Sequence, residues 1–169
     1  MSSGTKGRFT FRSAGVIFLL SAIAEIFSLT SEVLLFGAVR GGIVATVYHL
    51  AYVSLFFFLG IGLWQGKPWG YKLVFIGTIF YTLDRAQYLL DRKSIEASLV
   101  HQLGSYKEIW EQTDKGLVIQ AFTLMILLGI VCWWGFALYT YIRRDYFLPI
   151  EERSAVETAI DDEPNPSAE

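Results

Sequence analysis

The sequence predicts an all-α polytopic membrane protein, built as a bundle of four transmembrane helices. Of its 169 residues, 53% are hydrophobic and 16% are aromatic. A soluble domain of this length buries only about two-thirds of its chain surface and could not hide that much apolar area. The apolar residues also fall into long segments, each near the roughly 20 residues that a helix needs to cross a bilayer. The four segments cover about residues 14–39, 43–64, 69–90 and 116–142.

Short turns are predicted between the first three segments. Gly41 and Gly42 turn the chain after the first segment, and residues 66–70 turn it after the second. Pro68 is suited to the first turn of the helix that follows. The third segment is the least apolar, because three polar residues lie in its second half: Asp84, Arg85 and Gln87.

About twenty-five polar-rich residues separate the third and fourth segments. Apolar side chains recur in this stretch at helical spacing, which favours an amphipathic helix on the outer membrane surface over a simple loop. Residues 148–169 are rich in acidic residues and proline, have almost nothing to bury, and are expected to form a disordered cytoplasmic tail. The chain is therefore expected to have one membrane domain, residues 1–147. The apolar positions of the loop helix are Ile95, Leu99, Leu103, Tyr106 and Trp110.

Lysine and arginine residues near the segment ends predict the orientation. Seven lie on the side of the N-terminus and five on the other side, which places both termini in the cytoplasm of a multi-pass inner-membrane protein. The alternative is a cleaved signal peptide, because Lys6, Arg8 and Arg12 precede an apolar run followed by Ala22-Ile23-Ala24, which resembles a cleavage site. Against cleavage, the apolar stretch continues to Val39.

Several ionisable residues lie inside the predicted spans, where each charge costs about 2.5–3.5 kcal/mol on insertion scales. Ser21, Glu25, Ser28 and Glu32 follow at spacings of four, three and four residues, which would stack them on one face of a continuous helix. A rise of about 1.5 Å per residue places Glu25 near the midplane and several other groups in one layer of the outer leaflet. That layer is predicted to hold Glu32, His49, Asp84, Arg85 and Gln120, flanked by Tyr48, Tyr52, Tyr81 and Tyr88.

The same depths predict partners within this layer. Asp84 and Arg85 are sequence neighbours that point about 100° apart on a helix, so they are not expected to face one spot. We expect Arg85 to meet a carboxylate on another helix, with Glu32 as the first candidate. Asp84 is expected to reach His49 or Tyr88.

Glu25 is predicted to have no cation at its depth, which makes it a candidate proton carrier. Three functions fit a polar layer of this kind. The first is a small-molecule-binding, lipid-binding or accessory membrane protein with an outward-facing polar cavity, and the second is a structural subunit of a larger membrane complex. The third is a small membrane enzyme that uses Glu25, Glu32 and His49 as acid, base and orienting group.

The sequence offers no motif for a metal or an identified cofactor. Cys132 is the one cysteine, which excludes an intrachain disulfide and a paired-thiol reductase mechanism. The histidines are His49 and His101, and neither lies in a zinc-type Cys/His spacing. The expected partners are the lipid bilayer and, as open alternatives, another membrane protein or a second copy of the chain. Nothing in the sequence indicates nucleic-acid binding.

Overall fold

The computed structural model describes residues 7–36, 38–90, 95, 96, 99 and 114–148. The predicted tail, and most of the predicted loop helix, lie outside these residues. The main elements are four helices, and a two-stranded antiparallel hairpin joins the first two of them. The helices are α1 (Arg8–Phe27), α2 (Gly42–Gln65), α3 (Pro68–Leu90) and α4 (Lys115–Ile142); the strands are β1 (Val33–Leu35) and β2 (Ala38–Arg40); a 3₁₀ helix, Arg144–Phe147, follows α4.

Three of these helices, α1, α2 and α4, are long and apolar enough to cross a membrane. The fourth, α3, has a comparable length of 23 residues. It is less apolar because it carries Lys72 near its start and Asp84 and Arg85 near its end. The chain is therefore a mostly helical protein with three candidate spans and a fourth helix of similar length.

The prediction of one continuous first segment up to residue 39 is wrong beyond Phe27. The helix ends there, and the N–H of Ser28 bonds to the carbonyl of Glu25 at 3.1 Å. Serine and threonine side chains compete for backbone hydrogen bonds, which disfavours a helix through residues 28–31. Glu32 therefore lies in the approach to the hairpin, and it does not share a helix face with Glu25.

The hairpin closes one end of the bundle, which we call the hairpin end. Leu35 pairs with Ala38, and Phe36 lies in the turn that follows β1. Two side chains of α3 hold the hairpin against the helices. Gln87 Oε1 accepts a hydrogen bond from the N–H of Phe36 at 2.8 Å, and the Tyr88 hydroxyl donates to the carbonyl of Leu34 at 3.1 Å.

The opposite end of the bundle holds a tight apolar core. Two glycine pairs let the helices approach closely: a Cβ on Gly15 would lie 2.8 Å from the carbonyl oxygen of Gly60, and one on Gly62 would lie 2.6 Å from the Cα of Gly70. Small residues at such crossings are typical of packed membrane helices. All four helices and the 3₁₀ helix contribute to this core, whose buried members are Phe11, Leu59, Leu63, Val74, Ala137 and Phe147.

Candidate functional site

The hairpin end brings most of the predicted polar residues together in two adjacent groups. The first group joins Glu25 of α1 to His49 of α2. The second joins Tyr48 of α2 to Asp84 of α3, with Arg85 beside it. Tyr48 and His49 are sequence neighbours with ring centroids 5.5 Å apart, so the two groups are in contact along α2.

His49 connects α1, α2 and the chain segment that leads into the hairpin. Its Nδ1 lies 3.3 Å from Glu25 Oε1, and its Nε2 lies 3.3 Å from the carbonyl oxygen of Ser31. The histidine is only 6% exposed. The prediction that Glu25 has no partner at its depth is therefore wrong. Because α1 ends at Phe27, Glu25 lies in its last turn, at the level of His49 rather than deep in a longer helix.

The partners of His49 determine where its protons lie. The carbonyl of Ser31 can only accept, so His49 Nε2 carries a hydrogen and donates it. At Nδ1, the hydrogen of the contact with Glu25 can belong to either residue. The two contacts of His49 together tie the last turn of α1 and the segment before the hairpin to α2.

Asp84 is the centre of the second group, and its side chain is 6% exposed. Oδ1 accepts hydrogen bonds from the Tyr48 hydroxyl at 3.0 Å and from Gln87 Nε2 at 3.2 Å. These partners differ from the predicted ones, His49 and Tyr88. Gln87 therefore bridges Asp84 to the hairpin, because its other amide atom holds the N–H of Phe36.

Arg85 contacts its own neighbour rather than a carboxylate on another helix. Its Nε lies 3.5 Å from Asp84 Oδ2, and the predicted Glu32–Arg85 contact is not among the ion pairs between described residues. The long arginine side chain can turn back towards the preceding residue although the two Cβ atoms point apart. Its guanidinium carbon lies 5.2 Å from the ring centroid of Tyr81 and 5.9 Å from that of Tyr88. The arginine charge is thus shared between a carboxylate and two aromatic faces.

Three buried polar atoms of this group have no hydrogen-bond partner within the described part of the chain. They are the Tyr52 hydroxyl, Asp84 Oδ2 and Arg85 Nε, the last two lying close together without hydrogen-bond geometry. The ring of Tyr52 packs against two other aromatic rings. Its centroid lies 5.0 Å from that of Tyr48 and 5.1 Å from that of Phe80. Buried polar atoms are nearly always hydrogen-bonded, so each such exception needs an explanation.

Two of the predicted site residues lie apart from these groups. Glu32 is exposed, and its side chain lies beside Gly41. Gln120 is also exposed and lines a separate groove of about 390 Å³. Its other lining residues are mainly apolar: Leu89, Ile95, Ile119, Thr123, Leu124 and Leu127.

Comparison with known proteins yields no relative from which a role could be transferred. No protein-family model, no curated protein and no solved structure matches this chain. In the part of the chain that the structure describes, no cluster of three or more His, Cys, Asp or Glu side chains is placed to hold a metal ion. The chemistry of the two groups is therefore inferred from their own geometry.

Proposed function

We propose that this chain is a four-span membrane protein that binds a small polar ligand between α2 and α3 at the hairpin end. Three helices have the length and apolarity of membrane spans. The remaining helix, α3, packs against both α2 and α4 and is about 35 Å long at 1.5 Å per residue. It returns from α2 through a tight turn at Gly66, where φ is +63°. A helix of this length between two spans crosses the same thickness of about 30 Å.

The orientation belongs to the same proposal. More lysines and arginines flank the spans on the side where the chain begins, so both termini lie in the cytoplasm and the hairpin end faces outward. The inner membrane of the cell is the location that fits this charge bias.

The observation that carries the ligand site is a set of three buried polar atoms that make no hydrogen bond within the described chain, although two of them, Asp84 Oδ2 and Arg85 Nε, face each other as an ion pair. Leaving such an atom unsatisfied costs about 1–3 kcal/mol. The three atoms lie on two helices that face each other, since Tyr52 belongs to α2 and Asp84 and Arg85 belong to α3. A ligand group that reaches all three would recover these hydrogen bonds.

The chemistry of these atoms favours a neutral ligand. Asp84 Oδ2 accepts, Arg85 Nε donates, and the Tyr52 hydroxyl can do either. Since Arg85 already balances the charge of Asp84, a cationic ligand would leave the site with an excess positive charge. A hydroxyl, amide or similar group that both donates and accepts fits the site, and the tyrosine rings provide an apolar wall for the rest of the molecule.

The competing function is a structural subunit of a larger membrane complex. The contacts of Gln87 favour this structural function. Its side-chain amide bonds to Asp84 and to the hairpin, which is a contact that stabilises the fold. Buried ionic networks are often retained for specificity of packing rather than for chemistry. The two functions differ in what they require of the Tyr52 hydroxyl, which is buried near Tyr48 and Asp84 without good hydrogen-bond geometry to either.

Tyr52→Phe separates the two functions. The full-length protein is purified in mild detergent, and small molecules released on denaturation are quantified by mass spectrometry. If Tyr52 binds a ligand, Tyr52→Phe should retain the fold and reduce ligand occupancy about three- to ten-fold, the worth of one hydrogen bond. Tyr141→Phe, at an exposed position of α4, is the matched control and should retain the ligand. A wild-type protein that releases no small molecule, or a Tyr52→Phe variant that releases as much, would refute the ligand site.

A further inference from the structure

The end of the bundle opposite the hairpin is strongly basic. Helices α1 and α3 begin there and α2 and α4 end there, since Phe11, Leu63 and Phe147 of the apolar core lie together. The described residues of this end include a single acid, Asp145, against six cations. These cations are Arg8, Arg12, Lys67, Lys72, Arg143 and Arg144.

One of these cations lies over a tryptophan, and two others follow or precede this contact along the chain. The guanidinium carbon of Arg12 lies 5.4 Å from the centroid of the Trp64 ring. Arg8 precedes Arg12 by one helical turn and lies on the same face of α1. Lys67 follows Trp64 by three residues, in the turn between α2 and α3. Trp64 itself is 45% exposed, so the ring has one face on the arginine and another open to its surroundings.

These three cations have no acidic partner within the described chain. The ion pairs between described residues involve His49 and Arg85 at the other end of the bundle. Arg12 Nε is buried and has no hydrogen-bond partner among the described residues. A partly buried guanidinium that pairs with no anion among the described residues is a candidate anion site, because charged groups away from water are stabilised by pairing.

We propose that Arg8, Arg12 and Lys67 bind the phosphate of an anionic phospholipid headgroup in the leaflet at the basic end. Arginine matches phosphate oxygens with two parallel N–H donors, and lysine adds a point charge. Tryptophan is enriched at the level of the headgroups, where Trp64 would mark the depth of the phosphate.

Anionic lipid fits this site better than zwitterionic lipid, because Asp145 is the one described acid at this end against six cations and forms no ion pair with a described residue. This inference rests on the location of the chain in a membrane, and it does not depend on the ligand site at Asp84. A result that refutes the lipid site therefore does not refute the ligand site at Asp84, and the reverse also holds.

The test uses the full-length protein in mild detergent, titrated separately with phosphatidylglycerol, phosphatidylcholine and inorganic phosphate. Bound lipid is counted by native mass spectrometry, and the thermal unfolding midpoint is followed in parallel. Phosphatidylglycerol should bind saturably and raise the midpoint, while the other two should have little effect. Each cation near a membrane surface contributes about 1 kcal/mol, so Arg12→Gln and Lys67→Gln should each weaken binding about five-fold.

Two variants keep this test decisive. Lys67→Gln changes an exposed side chain, so its result does not depend on how well the variant of the partly buried Arg12 folds. Arg40→Gln removes an exposed cation at the hairpin end and should bind phosphatidylglycerol like the wild type. Equal binding of phosphatidylcholine, an equal effect of inorganic phosphate, or wild-type affinity in Lys67→Gln would overturn the proposal.

Discussion

Glu25 and His49 hold several parts of the hairpin end together. They share a hydrogen bond between α1 and α2, and the far nitrogen of His49 donates to the carbonyl of Ser31. The contact at His49 Nδ1 needs one hydrogen between the two side chains, which either a carboxyl or an amide at position 25 can accommodate.

Glu25→Gln should therefore preserve the pair. The glutamine amide can donate to Nδ1 of a neutral His49, which keeps its Nε2 hydrogen on Ser31. We expect a loss of less than about 1 kcal/mol for Glu25→Gln, and about 1–3 kcal/mol for Glu25→Ala, which leaves His49 Nδ1 without a partner. Thermal unfolding in mild detergent measures both. If glutamine were as damaging as alanine, the pair would depend on an ionised Glu25 facing a charged imidazolium.

The sequence predicted several members of the polar site but few of its contacts. His49, Asp84 and Arg85 were expected in one layer, and the structure places them at one end of the bundle. The partnership of Asp84 with Tyr48 depends on how α2 and α3 are rotated about their axes, which residue spacing within one helix does not determine. Gln87 could have been found, because an amide three residues after a carboxylate lies on the same helix face.

Among the elements, the hairpin is the main departure from prediction. Residues 33–39 are almost all apolar, so hydropathy alone does not distinguish the end of a span from a short hairpin. The distinguishing signal was local: serine and threonine at positions 28, 30 and 31 interrupt the helix before this run. The turns at Gly66 and Pro68 were predicted correctly, since the positive φ of Gly66 and the ring of Pro68 each suit one backbone conformation.

Phe36 adopts an unfavourable backbone conformation at the tip of the hairpin. Its φ is +51°, a region that bulky side chains rarely occupy, and its side chain is 88% exposed. Asparagine tolerates this region, and Asn-Gly is the favoured pair for a two-residue hairpin turn. Phe36→Asn should therefore raise the free energy of unfolding by about 0.5–1 kcal/mol, the usual worth of fitting a residue to its backbone conformation.

Val39→Asn is the matched control for this change. Val39 is also exposed but lies in β2, where asparagine is a poor strand residue, so the control should be destabilising. Both variants are compared by thermal unfolding in detergent and again in lipid nanodiscs. If Phe36→Asn destabilised the protein as much as the control in both, the exposed ring would itself anchor the hairpin.

For the whole molecule, the decisive element is α3. Its charges lower its apolarity, yet it lies between two helices that have the character of membrane spans. If α3 crosses the bilayer, then Asp84 and Arg85 lie within the membrane, and the hairpin end and the basic end face opposite sides. If it does not, the polar site lies in water and its unpaired atoms are readily hydrated.

Cysteine accessibility along α3 tests this most directly. Single cysteines are introduced at Lys67, Ile76, Ile79 and Leu90 in a Cys132→Ser background, and intact cells are treated with a membrane-impermeant maleimide. Ile76 and Ile79 are 55% and 53% exposed on the protein surface, so only lipid would shield them. Leu90→Cys should be labelled from outside and Lys67→Cys only after permeabilisation, while Ile76→Cys and Ile79→Cys should resist labelling in both conditions. Labelling of the two central positions, or labelling of Lys67→Cys and Leu90→Cys from the same side, would contradict a membrane-spanning α3.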